Sequence, residues 1–172
     1  MNAEIENEPG PVKNRTTVER TSDREVVVTR TINGPARIVF EAFSRADLLR
    51  RWWVPRSMGM TLLSCEVDAR VGGKYRLEFD IGAAEPAAFF GTYVEVTPYS
   101  RLAWTNEEGG EDASVTTVTF EERNGSTLVV LRETYPSKEA LDAAGTGAGD
   151  AMFETFDQLD ELLVALGESS GQ

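Results

Sequence analysis

One apolar stripe constrains the fold more than any other feature of the chain. Met152, Phe156, Leu159, Leu163 and Leu166 recur at offsets of four and three, and Phe153 and Leu162 widen the band. That spacing predicts an amphipathic helix of about four to five turns, with Asp157, Asp160 and Glu161 facing water. Its apolar face must be covered by another layer. Strand after strand precedes it, so this helix is the one element long enough to cover the inner face of a sheet.

The strands are legible from their alternation. Arg24–Ile32 is rich in β-branched residues. Asn33-Gly34-Pro35 stops it, and Pro35 suits the first turn of a helix running to about Ser44. Ile38, Val39, Ala42 and Phe43 sit at helical spacing there, with Phe40 beside them. A second short helix is predicted from Arg45 to Trp52 or Trp53, with Ser44 as cap and Asp47 as its capping-box partner. Strands follow at Thr61–Val67, Lys74–Asp80, Phe89–Thr97, Arg101–Asn106, Val115–Glu121 and Ser126–Glu133. In the first of these Leu63, Cys65 and Val67 share a face; in the second Tyr75, Leu77 and Phe79 do. Gly91 marks a bulge, and Asn124-Gly125 is a hairpin signal. Pro136–Ala144 can form a short helix, which Gly145–Gly149 breaks before the long one. The order is strand, two helices, six strands, long helix. A βαβ alternation is absent, so the expected class is α+β: a curved antiparallel sheet of about seven strands around the C-terminal helix, with a hollow between them. Residues 1–22 read as a disordered tail, 23–167 as a single domain and 168–172 as a loose C-terminus.

Charge and residue usage remove whole classes of function. The net charge is −12, from 17 basic and 29 acidic residues without a basic run. Nucleic acids and acidic membrane surfaces are therefore not expected partners. There is no histidine, which removes histidine-based triads, histidine-ligated zinc and the commonest general base. The single cysteine, Cys65, lies in an apolar alternation and reads as a buried small residue rather than a nucleophile. No apolar run approaches the ~20 residues of a membrane span, and the acidic N-terminus does not read as a signal peptide. A cytoplasmic protein without metal or cofactor is expected.

The candidate residues follow from inward-facing positions. Trp53, Tyr75, Leu77, Phe79, Trp104, Met152 and Phe156 are expected to point inward and to line the hollow if it is open. Arg132 alternates with Leu128 and Val130, so it either shares an inward face and needs a partner or an anionic ligand group, or it is exposed near the strand end. Glu66 and Glu133 are the carboxylates to examine for a raised pKa. Trp52 is read as structural, together with Asp68 and Arg70, an ion pair that pins the turn before Gly72-Gly73. No helix follows that double glycine, which argues against a phosphate loop.

Several stretches together carry a resemblance. They are Arg30–Pro35 with Val39–Phe43, Trp52-Trp53-Val54-Pro55, Asp68–Arg76, Gly91–Val96, and the glycine-rich break before Met152 and Gln158-Leu159. Over about Arg24 to Leu166 the chain resembles the C-terminal-domain family of the heat-shock ATPase activator homologues. That family belongs to the SRPBCC superfamily of helix-grip folds, with the START lipid-transfer domains and birch-pollen allergens. The resemblance implies a cavity-forming domain. It does not imply chaperone activation, since the eukaryotic co-chaperones carry a separate N-terminal domain for which this chain is not expected to have room. It transfers no catalytic set.

Three readings remain open at this point. One is a module that binds a small apolar or amphipathic ligand. The second is a cyclase- or hydrolase-type enzyme using a cavity carboxylate or Tyr75. The third is an interaction domain, either a chaperone cofactor or a homodimer joined through a sheet edge.

Overall fold

The computed structural model describes residues 15–145 and 147–170. Eight strands form one antiparallel sheet in the order β1-β2-β8-β7-β6-β5-β4-β3. They are β1 Thr17–Arg20, β2 Glu25–Ile32, β3 Thr61–Val67, β4 Lys74–Asp80, β5 Ala87–Thr97, β6 Arg101–Asn106, β7 Ser114–Arg123 and β8 Ser126–Thr134. Between β2 and β3 come the helices α1 Ala36–Ser44 and α2 Ala46–Leu49; after β8 come α3 Lys138–Ala144 and α4 Gly147–Ser170. The α1–α2 connection carries the chain across the sheet, because β2 pairs with β8 while β3 is the far edge. From β3 the strands return one neighbour at a time until β8 closes on β2.

Each element has a local cause. Pro35 starts α1 without a side-chain cap, and the Ala36 amide donates instead to Glu122 Oε1 at 2.9 Å, from the hairpin across the sheet. That hairpin turns on Asn124 and Gly125 with φ of 55° and 84°, the type I′ geometry that matches strand twist. Ser137 caps α3 by accepting from the Ala140 amide. Ser44 does not cap α2 as expected: its hydroxyl donates back to Phe40 O, and extended Arg45 takes the cap position. At Gly91, β5 passes so close to β6 that a Cβ would lie 1.8 Å from Thr105 O, so only glycine fits. The register break expected at Gly91 falls instead between Tyr93 and Glu95.

Three other expectations change. Thr17–Arg20 is not tail but a strand paired with β2, which makes eight strands rather than seven. Residues 1–14 of the expected tail lie outside the described residues. Gly145 ends α3 as expected, but the long helix already starts at Gly147, inside the expected break, and runs to Ser170, into the expected loose end; residues 171–172 lie outside the described residues. In β3 a bulge between Leu62 and Ser64 turns Leu62 inward and leaves Leu63 exposed, because one extra residue reverses the parity of the strand.

The core runs from β2 and β8 through α1 to α4. Trp52 is fully buried, stacks on Phe156 at 6.1 Å and 22°, and donates its indole N–H to Ala42 O. One ion cluster locks α4 to β2. Arg30 is only 2% exposed and reaches Asp157 at 2.9 Å, Asp160 at 2.5 Å and Thr16 Oγ1 at 2.8 Å. Asp157 and Asp160 thus serve this buried guanidinium rather than simply facing water. Phe153, read as part of the apolar stripe, is instead half-exposed.

Candidate ligand pocket

A pocket of about 170 Å³ lies between the α1–α2 connection and strands β4 to β6. Phe43 from α1, Leu49 from α2 and Trp53 just beyond it form one wall. Tyr75 and Leu77 of β4, Phe89 and Tyr93 of β5, and Trp104 of β6 form the other. Asn106, Glu108 and Glu133 supply its polar part. The roof is therefore the α1–α2 connection, not the long helix. Met152 and Phe156 are buried core residues outside the pocket lining, which corrects the expectation that the α4 face would line it. Phe79 is likewise core, packed edge-on to Phe89 at 5.1 Å.

The position of Trp53 depends on α4 at one remove. Gln158 is buried and donates from Nε2 to Trp52 O at 3.0 Å and Val54 O at 2.9 Å, while its Oε1 accepts from the Arg56 amide at 2.9 Å. One side chain thus satisfies three backbone groups of a segment that has no ladder partner, and so fixes the loop that carries Trp53.

At the other wall the polar atoms are mostly committed. Tyr75 donates to Thr105 O at 2.9 Å and reaches Asn106 Oδ1 at 3.1 Å; Trp104 Nε1 donates to the same oxygen at 3.2 Å. The Asn106 amide in turn donates to Ser114 Oγ and Thr116 Oγ1. Burial, then the charge of Glu108, pushes the Tyr75 hydroxyl far above its ordinary range, so this phenol is a donor and not a base. Tyr93 is raised for the same first reason.

Glu133 differs from its neighbours. It lies on the inward face of β8 with Thr127, Val129 and Leu131. Among the described residues no group donates a hydrogen bond to it or pairs with it. Burial, then repulsion from Glu108, raises its pKa to about 7. Arg132 points the other way: its side chain is 50% exposed and sits 3.6 Å from Glu25, so the inward reading is wrong. Leu128 and Val130 are on that outer face too; a central strand with apolar residues on both faces gives no clue to parity. Glu66 is exposed. Cys65 is half-buried against Ala46 O, and burial pushes its thiol up, against the opposing charge of Arg50.

Asp68 and Arg70 form an exposed ion pair at 2.9 Å beside a tight turn. A Cβ on Gly73 would lie 2.0 Å from Asp68 O, and Gly72 N and Gly73 O bond to the two ends of Tyr93. The double glycine thus locks the start of β4 against β5 and places Tyr93 at the pocket. Among the described residues, no group of three or more metal-ligating side chains converges, and no helix is long and apolar enough to cross a membrane.

The family model described as Activator of Hsp90 ATPase homolog 1-like protein matches residues 33–164, a span that includes every pocket residue. The chain belongs to that family. Solved structures share the fold of this Activator of Hsp90 ATPase homolog 1-like chain. A protein from Rhodobacter sphaeroides superposes with a TM-score of 0.77 at 21% identity, covering 88% of this chain and 99% of its own. Protein Ms6760 from Mycobacterium smegmatis gives 0.73 at 23%, covering 88% and 99%. Protein CV1439 from Chromobacterium violaceum gives 0.66 at 27%, covering 82% and 97%. No curated protein matches the sequence. Identities this low carry the fold alone, so the function of this Activator of Hsp90 ATPase homolog 1-like domain rests on its own site.

Proposed function

We propose that this domain binds one small, mostly apolar molecule in the pocket beneath Trp53. The observation that carries the reading is an aromatic-walled hollow lined by two carboxylates, of which Glu108 accepts from the Phe90 amide and Glu133 has no hydrogen-bond or ion-pair partner among the described residues. Sites for small ligands have this character: apolar walls and a few placed polar groups. Glu133 is half-buried, and packing alone gives no reason to place a carboxyl without a donor among apolar walls, where desolvation destabilises its charged form.

Thermal denaturation against a panel of apolar and amphipathic small molecules tests the proposal. A ligand at 100 times its dissociation constant adds about 2.7 kcal/mol, which raises Tm by roughly 5–10 °C in a domain of this size. The shift should vanish in Leu49→Trp, which fills the pocket with an indole. A panel without any shift, or a shift that survives Leu49→Trp, refutes the reading.

The half-ionised state of Glu133 near neutrality also favours a second reading, proton transfer to or from a bound substrate. Tyr75 is excluded from the role of base by its raised pKa. In that case Glu133→Gln abolishes turnover while neutral ligands still bind.

A further inference from the structure

The charges around the pocket select the class of molecule it takes, an inference that rests on the pocket reading above. Two carboxylates, Glu133 and Glu108, line the pocket, and none of its lining residues is a lysine or arginine. A third carboxylate, Glu107, stands beside Glu108 and is held ionised by the hydroxyls of Thr105 and Thr92 and, less, by the charge of Lys74, which sits outside the pocket lining and donates to Thr92 Oγ1. Three donors of the wall are already spent: the Tyr75 hydroxyl, the Trp104 indole and the Asn106 amide all donate to protein oxygens. The charge that the lining residues offer is negative.

The aromatic residues add to the same preference. Trp53 and Trp104 lie 6.4 Å apart, Tyr75 and Trp104 6.3 Å, Tyr93 and Trp104 6.2 Å, and Tyr75 and Tyr93 5.9 Å, every pair edge to face. Electron-rich rings around one small volume attract a cation through their quadrupoles. At longer range, the net charge of −12 draws cations and repels anions.

We propose that the ligand is a small organic cation, a protonated amine on an aromatic or similarly apolar body, with its ammonium against Glu133 and its body on Leu49, Leu77 and Phe43. The ammonium provides the donors and counter-charge that Glu133 lacks. A fatty acid or other carboxylate would bring further negative charge to the same place.

Three probes with similar apolar bodies test this by calorimetric titration at pH 8: 2-phenylethylamine, 2-phenylethanol and 3-phenylpropionate. Wild type should bind the amine at least about tenfold tighter than the alcohol, and the carboxylate most weakly. Glu133→Gln should weaken the amine by at least about tenfold and leave the alcohol within about threefold. Alcohol or carboxylate binding as tightly as the amine overturns the cation class and leaves the pocket reading intact. So does an amine affinity that Glu133→Gln and Glu108→Gln both leave unchanged. Binding of none of the three below about 10 mM overturns the cation class and the pocket reading together.

Discussion

Glu133 sets the pH response of the protein. Its carboxyl loses a proton near 4.5 in the unfolded chain and near 7 in the folded one. Between those values the folded state binds more protons, so the contribution of Glu133 to stability falls as pH rises through the window and is fully adverse above 7. Glu108 is the charge facing it, and Tyr75 and Tyr135, the other groups that sense it, are both pushed up and stay neutral. Allowing for its partial contact with solvent, the penalty is on the order of 2 kcal/mol. Glu133→Gln should therefore exceed wild type by about 2 kcal/mol at pH 8 and match it at pH 4, read by urea denaturation. A difference that does not change with pH contradicts this account. Sequence alone nominates both Glu133 and Arg132, its neighbour on the opposite face, and does not choose between them. The alternation of β8 reads equally well in either parity, because Leu128 and Val130 outside are as apolar as Val129 and Leu131 inside.

Among the elements, α4 acts on the pocket without lining it. Gln158 replaces a ladder for the segment from Trp52 to Arg56. Gln158→Leu leaves two carbonyls and one amide without their partner and should cost about 3 kcal/mol in chemical denaturation, with weaker ligand binding because Trp53 is no longer held. Gln158→Glu keeps an acceptor for the Arg56 amide but no donor for the carbonyls, and should recover only part of that loss. Full stability in Gln158→Leu would show that the segment holds itself. The periodicity of α4 located its apolar face correctly at Met152, Phe156, Leu159 and Leu163, all buried. It could not say which part of the sheet that face covers. The answer depends on the crossing by α1 and α2, whose short span carries little pattern, and so the hollow was expected under the wrong helix. Leu49 is missed because that same crossing brings it to the pocket, and Asn106 and Tyr93 because only the strand register brings them beside Tyr75 and Trp104.

For the molecule as a whole, the antiparallel α+β order was legible because six strands in succession admit few other arrangements. The first strand was not. Thr17–Arg20 has only Val18 as an apolar residue, and its reason to be ordered lies in distant partners: pairing with β2 and the hydrogen bond from Arg30 to Thr16. Removing residues 1–20 should uncover one side of the Arg30 cluster and cost about 2 kcal/mol, or roughly 4–8 °C in Tm. An unchanged Tm would make β1 dispensable. The signal available in the sequence was Arg30 itself, a cation in register with Val26, Val28 and Ile32 on a buried face.

Burial of Trp52 against Phe156 has an optical consequence. The chain has three indoles. One is sealed in the core with its N–H on Ala42 O, and the other two, Trp53 and Trp104, stand at the pocket. Trp52 is shielded from quenchers in solution, but its ring lies 5.2 Å from that of Trp53, so its excitation passes to the pocket pair. Emission from the other pair changes when the space between them is filled. The protein thus carries its own reporter of occupancy, without a label.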